Sequence, residues 1–314
     1  MKCLFYDGNL KLIEDYAKPI SAANEVLIRV SLAGICNTDI EIMKGYKGFK
    51  GILGHEFVGI VEYSPVPELI GKRVVGDINI GCGECALCIG GHHKHCGNRR
   101  VLGILGKDGA FGEYITLPVQ NLHTVPDNVS DFEAVFAEPL AAALEITEKY
   151  HVKPTDKVAV VGDGKLGQLV AQVLSLTGCN LTVIGKHVEK LQLLKDMAIT
   201  ANLSEANFHR RFDLVVECAG NPEGLKYAQQ IVKPAGAIIL KSTYHGSVTT
   251  EPANWVVNEI TLMGSRCGPM DAALRLLERK LVSVENLVSG VYRLEDWEKA
   301  FEAPGCLKTF FKII

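Results

Sequence analysis

What the chain lacks narrows its possibilities first. It has no stretch of about 20 uncharged apolar residues, so no segment reads as a bilayer-spanning helix. Its opening residues, Met1-Lys2-Cys3-Leu4-Phe5-Tyr6-Asp7-Gly8, hold no long apolar run of the kind an export signal needs. It shows no internal repeat and no low-complexity segment. Nor does one sign of charge dominate: 33 Lys and Arg face 36 Asp and Glu, a formal charge of -3 that offers no general attraction for nucleic acid or an anionic membrane. A cytoplasmic, reducing location is therefore expected. There the 10 cysteines read as ligands and small core residues rather than bridges.

What is present is an ordinary globular composition, 47% apolar and 22% charged, in 314 residues, a length that suits two domains. Four of the cysteines, Cys82, Cys85, Cys88 and Cys96, stand in a C-x2-C-x2-C-x7-C array flanked by glycines that let the loop fold back on itself. Thiolates at that spacing can surround one tetrahedral Zn²⁺, and structural zinc is expected, with an iron–sulfur cluster or disulfides as the alternatives. A closed site of four thiolates holds a loop and does no chemistry, so it directs attention to a second site with an open position. Cys3, Cys179, Cys218, Cys267 and Cys306 stand singly and read as packing.

From Met1 to about Ala141, short runs such as Val26 to Val30, Gly59 to Tyr63 and Gly112 to Leu117 are separated by glycine, proline and asparagine, the pattern of a barrel-like β unit. After Glu138-Pro139 the texture changes. A helix from Leu140 to Tyr150 leads into strands expected at Lys157 to Val161, Asn180 to Ile184, Phe212 to Val216, Ala237 to Leu240 and Ile260 to Gly264. Helices are expected at Leu166 to Thr177, Glu189 to Met197, Glu223 to Val232 and Asp271 to Lys280. That alternation predicts a doubly wound parallel sheet, hence an α/β fold with domains at 1–141 and 142–268 and a tail, 269–314, that rejoins the first.

Directly after Lys157 to Val161 comes Gly162-Asp163-Gly164-Lys165-Leu166-Gly167, running into an apolar helix. Strand, glycine motif and helix in that order predict a dinucleotide site, with Gly162, Gly164, Lys165, Leu166 and Gly167 at the pyrophosphate. The end of the second strand, where an NAD site usually offers an acid to the ribose, reads Gly185-Lys186-His187. A small residue followed by Lys186 and His187 leaves room and positive charge for a 2′-phosphate, which favours NADP over NAD. The alternative is that these two side chains simply face solvent.

Gly34-Ile35-Cys36-Asn37-Thr38-Asp39 and Gly54-His55-Glu56-Phe57-Val58-Gly59 precede the thiolate array, and Glu138-Pro139-Leu140-Ala141 follows it. Together with the array and the glycine motif they resemble the zinc-containing medium-chain dehydrogenase/reductase family, in order and over essentially the whole chain. The resemblance implies a GroES-like barrel carrying two zinc ions and a Rossmann domain binding the nicotinamide cofactor. It implies Cys36, His55 and Glu138 as ligands of a catalytic zinc, Glu56 as a neighbouring or exchanging ligand, and Cys82, Cys85, Cys88 and Cys96 around the structural zinc. It further implies Thr38 as the acceptor of the substrate hydroxyl proton, Asp39 as an anchor behind the ligands, and Lys308 at the cofactor pyrophosphate.

Glu41 stands where many relatives have a proton-relay histidine, and Glu138 replaces a cysteine of the simple alcohol dehydrogenases. Both point toward the sugar and polyol branch. The segment between Glu62 and Gly71 is trimmed relative to that branch, where loops shape the substrate pocket. The expected activity is hydride transfer between a secondary alcohol, polyol or sugar-like, and NADP(H), in a homodimer or homotetramer. Two rivals are a reductase of the same fold acting on aldehydes or activated alkenes, and an NADP(H)-binding redox sensor without turnover, which would need neither Thr38 nor an open zinc position.

Overall fold

A computed structural model describes residues 1–243, 247–302 and 307–314. Cys306 lies outside the described residues. Two compact units form, one from Met1–Glu138 with Met270–Ile314 and the other from Pro139–Pro269.

The first unit is built on the strand Glu25–Gly34, whose alternating burial is that of a strand with one face in the core. Glu56–Tyr63, Tyr114–Pro118 and Lys308–Lys312 all pair with it antiparallel, in a seven-stranded sheet. Register fixes the neighbourhood of Gly34, which lies opposite Glu56 on one side and Phe310 on the other. The core beside it is aromatic, with Phe311 edge-on to Phe111 at 5.0 Å and Phe310 edge-on to Phe136 at 5.8 Å. Cys3–Tyr6 and Leu10–Ile13 add a hairpin, and Asn79–Ile80, Arg100–Leu102 and Gly106–Lys107 form a small sheet next to the cysteine loop.

The second unit is a six-stranded parallel sheet. Its spatial order is Ile199–Asn202, Asn180–Gly185, Lys157–Val161, Phe212–Glu217, Val232–Leu240, Thr261–Gly264, the 3-2-1-4-5-6 order of a Rossmann fold. Val158, Ala159, Val160, Leu214, Val215 and Val216 are fully buried, because strands covered by helices on both faces read as continuous apolar runs. The expected α/β architecture is present, with two local differences. The helix expected to reach Met197 ends at Gln192, and the chain turns into the edge strand Ile199–Asn202, which pairs with Asn180–Gly185. A short helix, Pro252–Val257, opens on a proline that fits its first turn.

Candidate active site

The register at Gly34 assembles the first cluster. Two residues beyond Gly34 the chain leaves the sheet at Cys36, which caps the helix Asn37–Met43, while His55 immediately precedes the strand Glu56–Tyr63. Asp39 closes the turn by accepting the Cys36 amide at 2.8 Å and the Gly54 amide at 3.3 Å. One ligand atom each from Cys36, His55 and Glu56 then lies within 4.8 Å of the others. Thr38 Oγ1 is 3.6 Å from Cys36 Sγ.

Burial pushes the Cys36 thiol up, but the charge and hydrogen bond of His55 outweigh it and bring it to about 6. His55 is itself pushed down by burial and raised further by Asp39 and Cys36, ending well above the ordinary imidazole range. The two shifts favour a thiolate beside an imidazolium, and a divalent cation bound there would take that proton's place. His55 Nδ1 is buried without a hydrogen-bond partner, although Asp39 Oδ1 lies 3.3 Å away. A buried thiolate, an imidazole and a carboxylate of this kind fit Zn²⁺.

Lys308, expected at a cofactor pyrophosphate, is only 2% exposed and ion-paired with Glu56. The pair owes its place to Gly34: a Cβ there would lie 2.7 Å from the Lys308 side chain and 2.9 Å from Glu56 Oε2. Glu138 sits in the first turn of the helix Ala137–Lys149 and is not within the 4.8 Å cluster. Glu41, on the same helix as Thr38, holds Lys44 at 2.9 Å.

The second cluster is the cysteine loop. Cys82 and Cys88 sulfurs are 3.9 Å apart and those of Cys85 and Cys96 3.8 Å, matching the roughly 3.8 Å edge of a tetrahedron with Zn–S bonds of about 2.3 Å. Gly81 is obligatory, since a Cβ there would fall 2.6 Å from Cys88 Sγ. The amides of Glu84 and Cys85 lower Cys82 to about 7. The Gly83 amide pulls Cys88 down, yet burial and the neighbouring thiols outweigh it and leave it at about 11. Thiols so crowded do not all ionise without a cation among them, which is what a metal supplies. His93 Nε2, 2.8 Å from Asp77 Oδ2, fastens the loop to the unit.

The third group surrounds the glycine motif. Gly162 has φ +122° and packs on the Cys218 backbone, while Gly167 has the Gly162 carbonyl 2.1 Å from its would-be Cβ. Gly164 faces open space and caps the helix Lys165–Ser175, whose first amides lack a side-chain cap. Two glycines for packing and one opening onto free space at a helix N-terminus fit a dinucleotide pyrophosphate. At the end of Asn180–Gly185, an acid is present after all. Asp163 Oδ2 accepts the amides of Lys186 and His187 at 2.7 Å each, and a Cβ on Gly185 would lie 2.4 Å from that oxygen.

Two family models match the chain, the alcohol dehydrogenase GroES-like domain over residues 22–127 and the zinc-binding dehydrogenase domain over residues 166–279, together more than half of it. A sorbitol dehydrogenase of Halalkalibacterium halodurans is 28% identical over 93% of this chain and 91% of its own. Among solved structures, one from Sinorhizobium meliloti bound to NADP has a TM-score of 0.90 and 27% identity over 99% of both chains. An alcohol dehydrogenase of Escherichia coli complexed with NADH has the same score and identity, over 100% of this chain and 99% of its own. The chain belongs to the zinc-containing medium-chain dehydrogenase/reductase family.

As a member of that family it is a zinc-dependent, nicotinamide-dependent dehydrogenase. Motif reading found Cys36, His55, Glu56 and the four array cysteines, which the structure brings together in two clusters. It missed the engagement of Glu56 by Lys308 and the role of Asp163. The second had a readable signal, an acid between the first two glycines of the motif matched by a glycine ending the next strand. No helix among the described residues is long and apolar enough to cross a membrane.

Proposed function

We propose that this dehydrogenase oxidises a secondary alcohol of the polyol or sugar type, and reduces the matching carbonyl, using NADP(H). The observation that carries the reading is the buried Cys36–His55–Glu56 cluster with Thr38 at its edge, together with the uncapped helix N-terminus at Gly164. Cys36 and His55 would be the fixed ligands, with Glu138, which lies outside the cluster, as third ligand and Glu56, held by Lys308, as the one that would exchange. Zinc held there supplies a Lewis acid that makes a hydroxyl acidic near neutral pH, and the cofactor supplies the hydride acceptor.

The remaining work falls to side chains of this chain. Thr38 Oγ1 takes the substrate hydroxyl proton and hands it outward. Asp39, 0% exposed and bonded to the amides of Cys36 and Gly54, fixes both ligand-bearing turns. Lys308 neutralises Glu56, which keeps a second carboxylate tolerable beside a thiolate. Glu41 accepts a hydrogen bond from a hydroxyl next to the reacting one. The sorbitol dehydrogenase relative supports the substrate class, and the NADP-bound structure supports the cofactor. A cytoplasmic location and a homodimeric or homotetrameric state are proposed with it.

The test is a panel of diols, sugars and simple alcohols assayed with NADP and with NAD. Polyols should turn over fastest with NADP, and Cys36→Ser should abolish turnover while leaving the fold intact. Faster turnover of ethanol than of every polyol would overturn the substrate class.

A further inference from the structure

Gly185 at the end of the second parallel strand admits a carboxylate that comes from another part of the chain. Asp163, 6% exposed, fills the space a side chain at position 185 would take, its Cβ and Cγ lying 2.6 and 2.7 Å from the would-be Cβ. Both oxygens of its carboxylate are engaged. It accepts the Lys186 and His187 amides at 2.7 Å each, and His187 Nδ1 lies 3.0 Å from one oxygen and 3.1 Å from the other. Gln168 makes a second tie, with Nε2 donating to the carbonyls of Asp163 at 3.3 Å and Lys190 at 2.8 Å. The glycine-rich loop and the turn after the second strand are thereby held as one piece.

We propose that Asp163 sets cofactor choice as a positioning residue: by binding the backbone and imidazole of the 186–187 turn it withdraws its own oxygens from the ribose hydroxyls and fixes Lys186 and His187 to receive a 2′-phosphate. This rests on the reading that the second unit binds NADP(H). A carboxylate has about four lone-pair positions, and two amides and an imidazole occupy most of them. Nδ1 faces the carboxylate, so Nε2 is the imidazole nitrogen turned toward a ligand, on a side chain that is 49% exposed. Lys186 is exposed beside it, a compact cation suited to a phosphate. The acid that would discriminate against NADP if it grew from position 185 thus serves the opposite end when it grows from position 163.

The experiment measures Kd for NADPH and NADH by fluorescence titration of the full-length protein, unmodified and as Asp163→Asn, with melting temperatures recorded in parallel. Removing the charge should weaken NADPH about tenfold, the equivalent of about 1.4 kcal/mol, and NADH less than about threefold. Gly185→Ala, whose new methyl displaces the carboxylate without altering its charge, should shift the NADPH-to-NADH ratio the same way and keeps the test open if Asp163→Asn fails to fold. Equal losses for both cofactors would reduce Asp163 to a structural role, and a selective loss of NADH would make it a ribose acceptor; either overturns the proposal. Lack of NADPH preference in the unmodified protein would instead defeat the cofactor reading, whereas an unmoved ratio on top of a clear preference defeats only the role of Asp163.

Discussion

Lys308 shows how one side chain can carry both stability and chemistry. It is among the largest fully buried side chains of the molecule, and Glu56 is its counter-ion. Lys308→Met should leave that carboxylate buried and uncompensated, at a cost of about 3–5 kcal/mol in urea denaturation, and adding Glu56→Gln should recover most of the loss. No loss in the single variant would mean the carboxylate is reached by solvent or another cation. Glu41 makes a second prediction at this scale. If it accepts a bond from a neighbouring substrate hydroxyl, Glu41→Ala should lower kcat/KM for a vicinal diol by about 1–3 kcal/mol more than for a simple alcohol. Equal losses would remove Glu41 from diol recognition. Lys308 with Glu56 is not legible as a pair in the sequence, because only sheet register makes those positions neighbours; Asp163 with Gly185 leaves a trace, an acid inside the glycine motif and a glycine ending the next strand, but only the parallel crossover joins them.

Among the elements, legibility followed burial. The strand Lys157–Val161 is readable to the residue because both of its faces are covered, whereas Ile199–Asn202 carries no strand signal in the sequence because it pairs on one side only and is mostly half-buried. The cysteine loop was read from spacing alone, since four ligands within fifteen residues need little help from the rest of the fold. Cys88→Ser should lower the melting temperature with little change in kcat, as three thiolates hold the loop poorly. The loop also has a pH signature. The bond to Asp77 raises His93 above its ordinary 6.5, against burial, so its stabilisation is complete below that value and lost as pH rises through the raised one. Burial pushes Asp77 up, but His93 and Asn79 hold it below its usual 3.8, so its share persists above that value and is lost as pH falls further. The melting-temperature gap between unmodified protein and His93→Gln should therefore be widest between these values and close at higher pH.

At the scale of the whole molecule, two ligand clusters of different kinds predict about two zinc ions per chain by elemental analysis. A chelator should remove the exchangeable ion first, so activity should fall before the melting temperature does; simultaneous loss of both would show that the two sites are not separable. The two units also differ in how they are laid out along the chain. Pro139–Pro269 is continuous, but the unit holding both zinc clusters begins at Met1 and is completed only by Lys308–Lys312, the strand that pairs with Glu25–Gly34 and delivers the cation for Glu56. During synthesis the parallel-sheet unit can close as soon as its last residue leaves the ribosome, whereas the barrel waits with an open sheet edge and an uncompensated acid until the final strand emerges. Synthesis of Lys308–Lys312 then sets the earliest moment at which the catalytic half can close.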